Sequence, residues 1–265
     1  MVAEDTVASY ARDGVVVVRG LITTDEIELI RSGVRKVLAA PSPAAIIASG
    51  PDDPGRFFED FCRWSEIDEI GRVALRSGVP KAAAELMDSM SCRLFHDHIL
   101  IKEAGTEQPT PWHQDQPYYN VSGRGISAWI PADDIPRDAC PEFWAGSHLG
   151  PWRLPRTFLD NEARWFPEGT LAELPDIDGN RSDYDIRRWE LGVGDVIFFD
   201  FLTVHSAPGF PHEGGRRVLN LRYLSAEARH ATRPWKTSPD FPGLARELPD
   251  GAEFDHPYFP PAWPR

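Results

Sequence analysis

Two periods of apolar spacing divide the chain. Val15 to Val18 is an unbroken β-branched run between Gly14 and Gly20, the pattern of a short buried strand. Ile27, Ile30, Val34, Val37 and Leu38 then recur at helical spacing. Thr23, with Glu26 three positions on, is a capping-box start for that helix, and Pro41 stops it. The opening therefore reads helix, strand, helix. Residues 41–56 are punctuated by Pro, Gly and Asp and read as a surface loop, with a lid over a site as the alternative. Lys81–Met90 predicts another short helix. Beyond Ser91, strand-like pieces follow one another between Pro and Gly turns: Cys92–Lys102, Pro111–Asp115, Ile126–Ile130, Arg187–Leu191, Val196–Phe201 and Arg217–Leu224. The turn Gly192–Asp195 before an aromatic strand predicts a hairpin. Residues 151–185 form an insertion without clear periodicity, and the Pro-rich tail from Arg233 is expected to pack as irregular coil. No repeat or low-complexity linker interrupts residues 1–265. One domain is expected, mainly β with flanking helices (α+β), of the jelly-roll, cupin-like type.

Charge narrows the function classes. Lys and Arg number 28 against 41 Asp and Glu, a net −13, which disfavours nucleic acid and anionic membranes as partners. The acidic start Met-Val-Ala-Glu-Asp does not resemble a secretory leader, and no apolar run approaches the roughly 20 residues a membrane span needs. Cys62, Cys92 and Cys140 match no zinc-ligand spacing and read as packing residues. A cytoplasmic protein is the expectation. With 25 Pro, 9 Trp and 14 Phe, loop-rich architecture and aromatic walls are expected, suited to a medium-sized, partly apolar small-molecule substrate.

The chemistry concentrates at Pro111-Trp-His113-Gln114-Asp115. On a strand, positions i and i+2 share a face, so His113 and Asp115 offer a nitrogen and a carboxylate oxygen to one point, with Gln114 turned away. Those donors suit a divalent first-row metal, although a His-x-Asp pair alone is a weak signal. His205, ninety positions after Asp115, ends an aromatic strand and supplies a third ligand. Two histidines and one carboxylate on one face of an octahedral ion leave three positions open, as in non-haem iron(II) oxygenases. Eleven positions past His205 stands Arg216, able to hold a carboxylate through two parallel hydrogen bonds. Arg217 is its neighbour on the opposite face, and periodicity does not say which of the two points inward. His96 and His98 flank Asp97 and mimic a second metal pair, but no third ligand accompanies them. Tyr118, Tyr119, Trp144 and Trp152 read as core or substrate wall. Arg153, Arg156, Arg181, Arg187 and Arg188 read as solvated, with recognition of an anionic substrate as the alternative.

These residues resemble the iron and 2-oxoglutarate motif of the phytanoyl-CoA dioxygenase family. The resemblance extends to Ile99-Leu-Ile-Lys102, Ala128-Trp129-Ile130, Gly146-Ser-His148, Gly194-Asp195 and Arg216-Arg-Val-Leu, and covers most of residues 10–225. It implies a double-stranded β-helix in which His113, Asp115 and His205 bind iron(II) and Arg216 binds the distal carboxylate of 2-oxoglutarate. Trp129, Gln114 and His148 match positions around cosubstrate or substrate, and His98, Lys102 and Tyr118 are candidates to line the same pocket. The implied reaction couples decarboxylation of 2-oxoglutarate by O2, giving succinate and CO2, to oxidation of a substrate C–H bond. Halogenating relatives carry a small residue at the position of Asp115, so a carboxylate there implies oxygenation. The sequence departs from the family pattern at His205-Ser206-Ala207, where a hydroxyl that bonds the cosubstrate is missing or shifted by one position. Another metal-dependent cupin-type enzyme, or a silent binding protein of the same fold, is the alternative.

Overall fold

The computed structural model describes residues 1–155, 166 and 169–264. It opens with helix α1 (Glu4–Asp13), strand β1 (Val15–Val18) and helix α2 (Thr24–Ala39), as the apolar spacing predicts. The Glu26 amide donates to Thr23 Oγ1 at 3.3 Å, and the Thr23 amide donates back to the Glu26 carboxylate at 2.9 Å. Thr23→Ala is expected to cost about 1 kcal/mol, read as a lower urea midpoint at unchanged slope. The 41–56 loop contains a two-residue strand, β2 (Ile46–Ile47), and leads into β3 (Phe57–Phe61), α3 (Asp68–Arg76) and α4 (Val79–Leu86). α4 corrects the predicted Lys81–Met90 helix. It starts earlier because Pro80 fits a first turn, where its missing N–H is no loss. It ends earlier because Asp88 turns left-handed at φ 49°.

The remaining elements are β4 (Cys92–Lys102), β5 (Thr110–His113), β6 (Val121–Ser122), β7 (Gly125–Pro131), β8 (Glu142–Trp144), β9 (Ile186–Arg187), β10 (Val196–Asp200), β11 (His205–Ala207), β12 (Arg216–Ser225), β13 (Arg229–His230), α5 (Leu244–Glu247) and β14 (Pro261–Trp263). A large antiparallel sheet runs β1-β10-β7-β12-β4-β3-β2, with β14 beside β4, and a smaller one runs β5-β11-β8-β9. Their inner faces meet, which is the double-stranded β-helix expected. The predicted hairpin at Gly192–Asp195 is a turn of another kind: β9 pairs with β8, whereas β10 pairs with β1 and β7, so the turn carries the chain from one sheet to the other. Asp195 fastens it by accepting the amides of Gly20 and Gly192 at 3.0 Å each. The predicted strand Arg187–Leu191 also shortens, to Ile186–Arg187, with Leu191 joined only to Ile135.

Alternation sorts each strand of the large sheet into two faces. Ile99 and Ile101 of β4, Ile126, Ala128 and Ile130 of β7, and Leu219, Leu221 and Tyr223 of β12 pack outward beneath Ile27, Ile30, Val34, Ile70 and Val73 of the helices. The intervening positions face the interior, where Val15, Ile197, Phe199 and Val218 meet Phe143 of the small sheet. The tail is more ordered than its composition suggests. Phe254 and Phe259 close one end against Phe95, and β14 adds a strand beside Cys92 and Arg93. Of the 151–185 insertion, Arg156 lies outside the described residues.

Candidate active site

The small sheet brings two histidines face to face. His113 ends β5, His205 begins β11, and the ladder pairs them directly, with ring centroids 4.2 Å apart. Asp115 joins them by a different route from the one the sequence suggests. The strand stops at His113, and Asp115 adopts φ −73° and ψ −39° as the chain enters a short 3-10 turn, Gln116–Tyr118. One ligand atom from each of His113, Asp115 and His205 then lies within 4.8 Å of the others.

Hydrogen bonding has already chosen which atoms face that point. His113 Nδ1 lies 2.8 Å from the Pro111 carbonyl and His205 Nδ1 lies 2.9 Å from the Thr203 carbonyl. A carbonyl only accepts, so each Nδ1 carries the proton and the lone pair sits on Nε2. Asp115 Oδ2 accepts the Ser127 hydroxyl at 2.7 Å and faces Arg222 Nη2 at 3.5 Å, while Oδ1 points toward His113 Nε2 at 3.8 Å. Burial opposes ionisation of Asp115, but Arg222, the two imidazoles and the Ser127 hydroxyl overcome it and hold the carboxyl well below its usual range. Burial, with His113 adding to it, pushes the His205 imidazole down to about 3 and keeps it neutral. Two imidazoles with Nε2 turned to the common point and a carboxylate, with outer atoms already bonded, are the donor set and support that a divalent iron site requires.

His113 and His205 of the triad line a cavity between the sheets, with Leu100, Trp129, Phe143, Phe199 and Arg216. Arg216 is 5% exposed, donates to the Ala139 carbonyl, and lies 5.8 Å from the Trp129 ring centroid. No carboxylate pairs with it among the described residues, and burial pushes its guanidinium down to about 10, so it remains charged at neutral pH. Arg217 faces outward onto Asp133, donating through Nε at 2.9 Å and again through Nη2. Beside Arg216 in the ladder is Lys102, which is buried although a lysine at a strand end is ordinarily solvated. Its ammonium donates to the carbonyls of Gln108 and Pro208 at 2.7 and 2.8 Å and sits over Phe57. Ser206 and Ala207 both border the cavity.

Three expected lining residues do not line this cavity. Gln114 is buried, but its amide is consumed by the chain: Nε2 donates to Leu202 O at 2.7 Å and Oε1 accepts the Arg153 amide at 2.7 Å. His148 packs on the end of α1, its Nε2 3.2 Å from Ala11 O and its ring where a Cβ on Gly14 would stand. Tyr118 flanks the site instead of lining it, with its ring centroid 6.2 Å from that of His113. Asp97 points away from His96 and His98 and accepts the amides of Arg63 and Trp64, and among the described residues no second metal-ligand cluster forms. Arg181 and Arg188 pair with Glu142, and Arg187 with Asp185, which accounts for these arginines locally.

Glu59, Ser127, Asn220 and Arg222 went unread in the sequence. Asn220 and Arg222 follow Arg216 at even spacing on one strand, and Ser127 precedes Trp129 by two, so alternation from the assigned residues would have found three of the four. Glu59 stands on β3, whose short run Phe57–Phe61 has no clear apolar period.

A model of the phytanoyl-CoA dioxygenase family matches residues 10–218. The chain belongs to this family. No curated protein sequence matches. Among solved structures, the non-heme alpha ketoglutarate dependent epimerase SnoN from nogalamycin biosynthesis is 25% identical, with a TM-score of 0.77 over 98% of both chains. SnoN in complex with Fe3+, alpha ketoglutarate and nogalamycin RO is 26% identical, with a TM-score of 0.78. The carbocyclase SnoK, at 20% identity and a TM-score of 0.78 over 98% of this chain and 96% of its own, shares the fold. EctD from S. alaskensis, with 2-oxoglutarate and 5-hydroxyectoine, shares it at 18% identity and a TM-score of 0.68, over 95% of this chain and 85% of its own. As a member of the phytanoyl-CoA dioxygenase family, the protein is an iron- and 2-oxoglutarate-dependent oxygenase.

Proposed function

We propose that His113, Asp115 and His205 are the iron(II) ligands of this oxygenase, and that Arg216 holds the distal carboxylate of 2-oxoglutarate with Lys102 beside it. The observation that carries this is the fixed orientation of both imidazoles, whose Nδ1 protons are spent on the carbonyls of Pro111 and Thr203. Bound iron(II), with 2-oxoglutarate and O2, supplies the chemistry: decarboxylation to succinate and CO2 coupled to oxidation of a substrate C–H bond. The chain's own residues do the rest. Ser127 and Arg222 keep Asp115 ionised and aimed; Arg216, over Trp129, gives the cosubstrate one orientation; Leu100, Phe143 and Phe199 keep the cavity dry, which strengthens each of these charge contacts. The chain is taken as one domain acting in the cytoplasm. Cysteines that are all free, and the lack among the described residues of a helix long and apolar enough to cross a membrane, support that setting.

Anaerobic addition of iron(II) and then 2-oxoglutarate is expected to produce a visible charge-transfer band in the wild type and none in His205→Ala. A wild-type protein that stays colourless would remove the proposed iron site.

A further inference from the structure

One wall of the cavity has no use in that scheme. Glu59 is on the inner face of β3 and His98 on the inner face of β4, and both line the cavity with His113 and His205. Glu59 is 4% exposed and His98 9%. Glu59 Oε1 lies 3.2 Å from His98 Nε2, and that nitrogen makes no well-aligned hydrogen bond. The His98 ring is held by stacking on Phe61 at 4.1 Å. Among the described residues no Arg or Lys pairs with Glu59. Lys102 bonds two carbonyls, Arg222 bonds Tyr119 and faces Asp115 with its Nη1 reaching no acceptor, and Arg216 points to Ala139. The Asn220 side chain, paired in register with His98, adds a second acceptor, Oδ1, without a partner. Glu59 and His98 share one cavity with His113 and His205, so this wall is within reach of the triad.

A buried carboxylate is expensive unless paired, and this one faces an open cavity. We propose that Glu59, backed by His98 and Asn220, receives a hydrogen-bond donor of the primary substrate, a hydroxyl or a protonated amine. This rests on the iron and 2-oxoglutarate reading above and names the substrate class for the same site. A fatty acyl chain in the same place would strip water from Glu59 and return no donor, and an anionic group would be repelled. Donor-bearing molecules are therefore selected over the acyl thioester that the family name brings to mind.

The test titrates four probes of one shape, benzylamine, benzyl alcohol, toluene and benzoate, against protein loaded with zinc(II) and saturating 2-oxoglutarate, with binding read by ligand-observed NMR. Benzylamine and benzyl alcohol are expected to bind at least about tenfold more tightly than toluene, with benzoate weakest. An amine ahead of the alcohol identifies a cationic group, and parity a hydroxyl. Glu59→Gln, which keeps shape and removes charge, is expected to erase most of the benzylamine advantage while leaving the iron(II)–2-oxoglutarate band unchanged. Equal binding of donors and toluene by the wild type, or benzoate binding best, overturns the proposal without need of a variant. So does an undiminished benzylamine advantage in Glu59→Gln. The band reports separately: protein that ranks the probes as expected yet shows no band loses the iron reading and keeps this one.

Discussion

Asp115→Ala is expected to abolish succinate release from 2-oxoglutarate and also to weaken the metal-free fold by about 3 kcal/mol. The two losses have different origins. Activity disappears because the only carboxylate in the triad is gone. Stability falls because Arg222, 5% exposed, then has no anion: its Nε donates to Tyr119, its Nη1 has no partner, and its Nη2 faces only Asp115. Leaving one member of a buried pair alone costs more than the pair contributes. The double variant Asp115→Ala with Arg222→Met removes the stranded cation as well. It is expected to recover most of the stability in urea unfolding and none of the activity. Turnover retained in Asp115→Ala would discard the assigned role, and a double variant no more stable than the single one would show that Arg222 is not the source of the loss.

The parts of this site legible in the sequence were those fixed by short-range pattern. The β-branched run at Val15, the capping box at Thr23 and the long strand Cys92–Lys102 follow from local chemistry and stand where the spacing puts them. His113, Asp115 and His205 are legible through a motif, but strand alternation does not account for the first pair. Asp115 reaches the common point by a turn after the strand, not by strand alternation. What the sequence could not carry was cross-strand register. Nothing local says that Asn220 pairs with both His98 and Trp129, or that Glu59 lands beside His98, because those juxtapositions come from pairing over long separations. Gln114 and His148 misled for the converse reason. Each lies next to a motif, yet its polar atoms meet backbone from a distant segment, Leu202 and Arg153 for one and the end of α1 for the other.

Arg216 and Arg217, adjacent in sequence, should respond oppositely to removal. Arg216→Met is expected to raise the KM for 2-oxoglutarate by about two orders of magnitude, since truncating one member of a desolvated charge pair costs about 3 kcal/mol. The same change is expected to leave the cosubstrate-free protein equally stable or more so. Without 2-oxoglutarate Arg216 is a buried cation held by one carbonyl and an aromatic face, an arrangement that burial penalises and no carboxylate repays. Arg217→Ala should do the reverse: KM unchanged, and stability lower by less than about 1 kcal/mol, because its pair with Asp133 is one-third exposed on the arginine side and screened by water. Steady-state kinetics in 2-oxoglutarate and urea unfolding of the cosubstrate-free protein read the two effects separately. A purely structural Arg216 would lose stability on substitution and leave KM alone. A cosubstrate anchor gives the opposite pattern, a group kept in an unfavourable place in the empty protein because its partner arrives with the ligand.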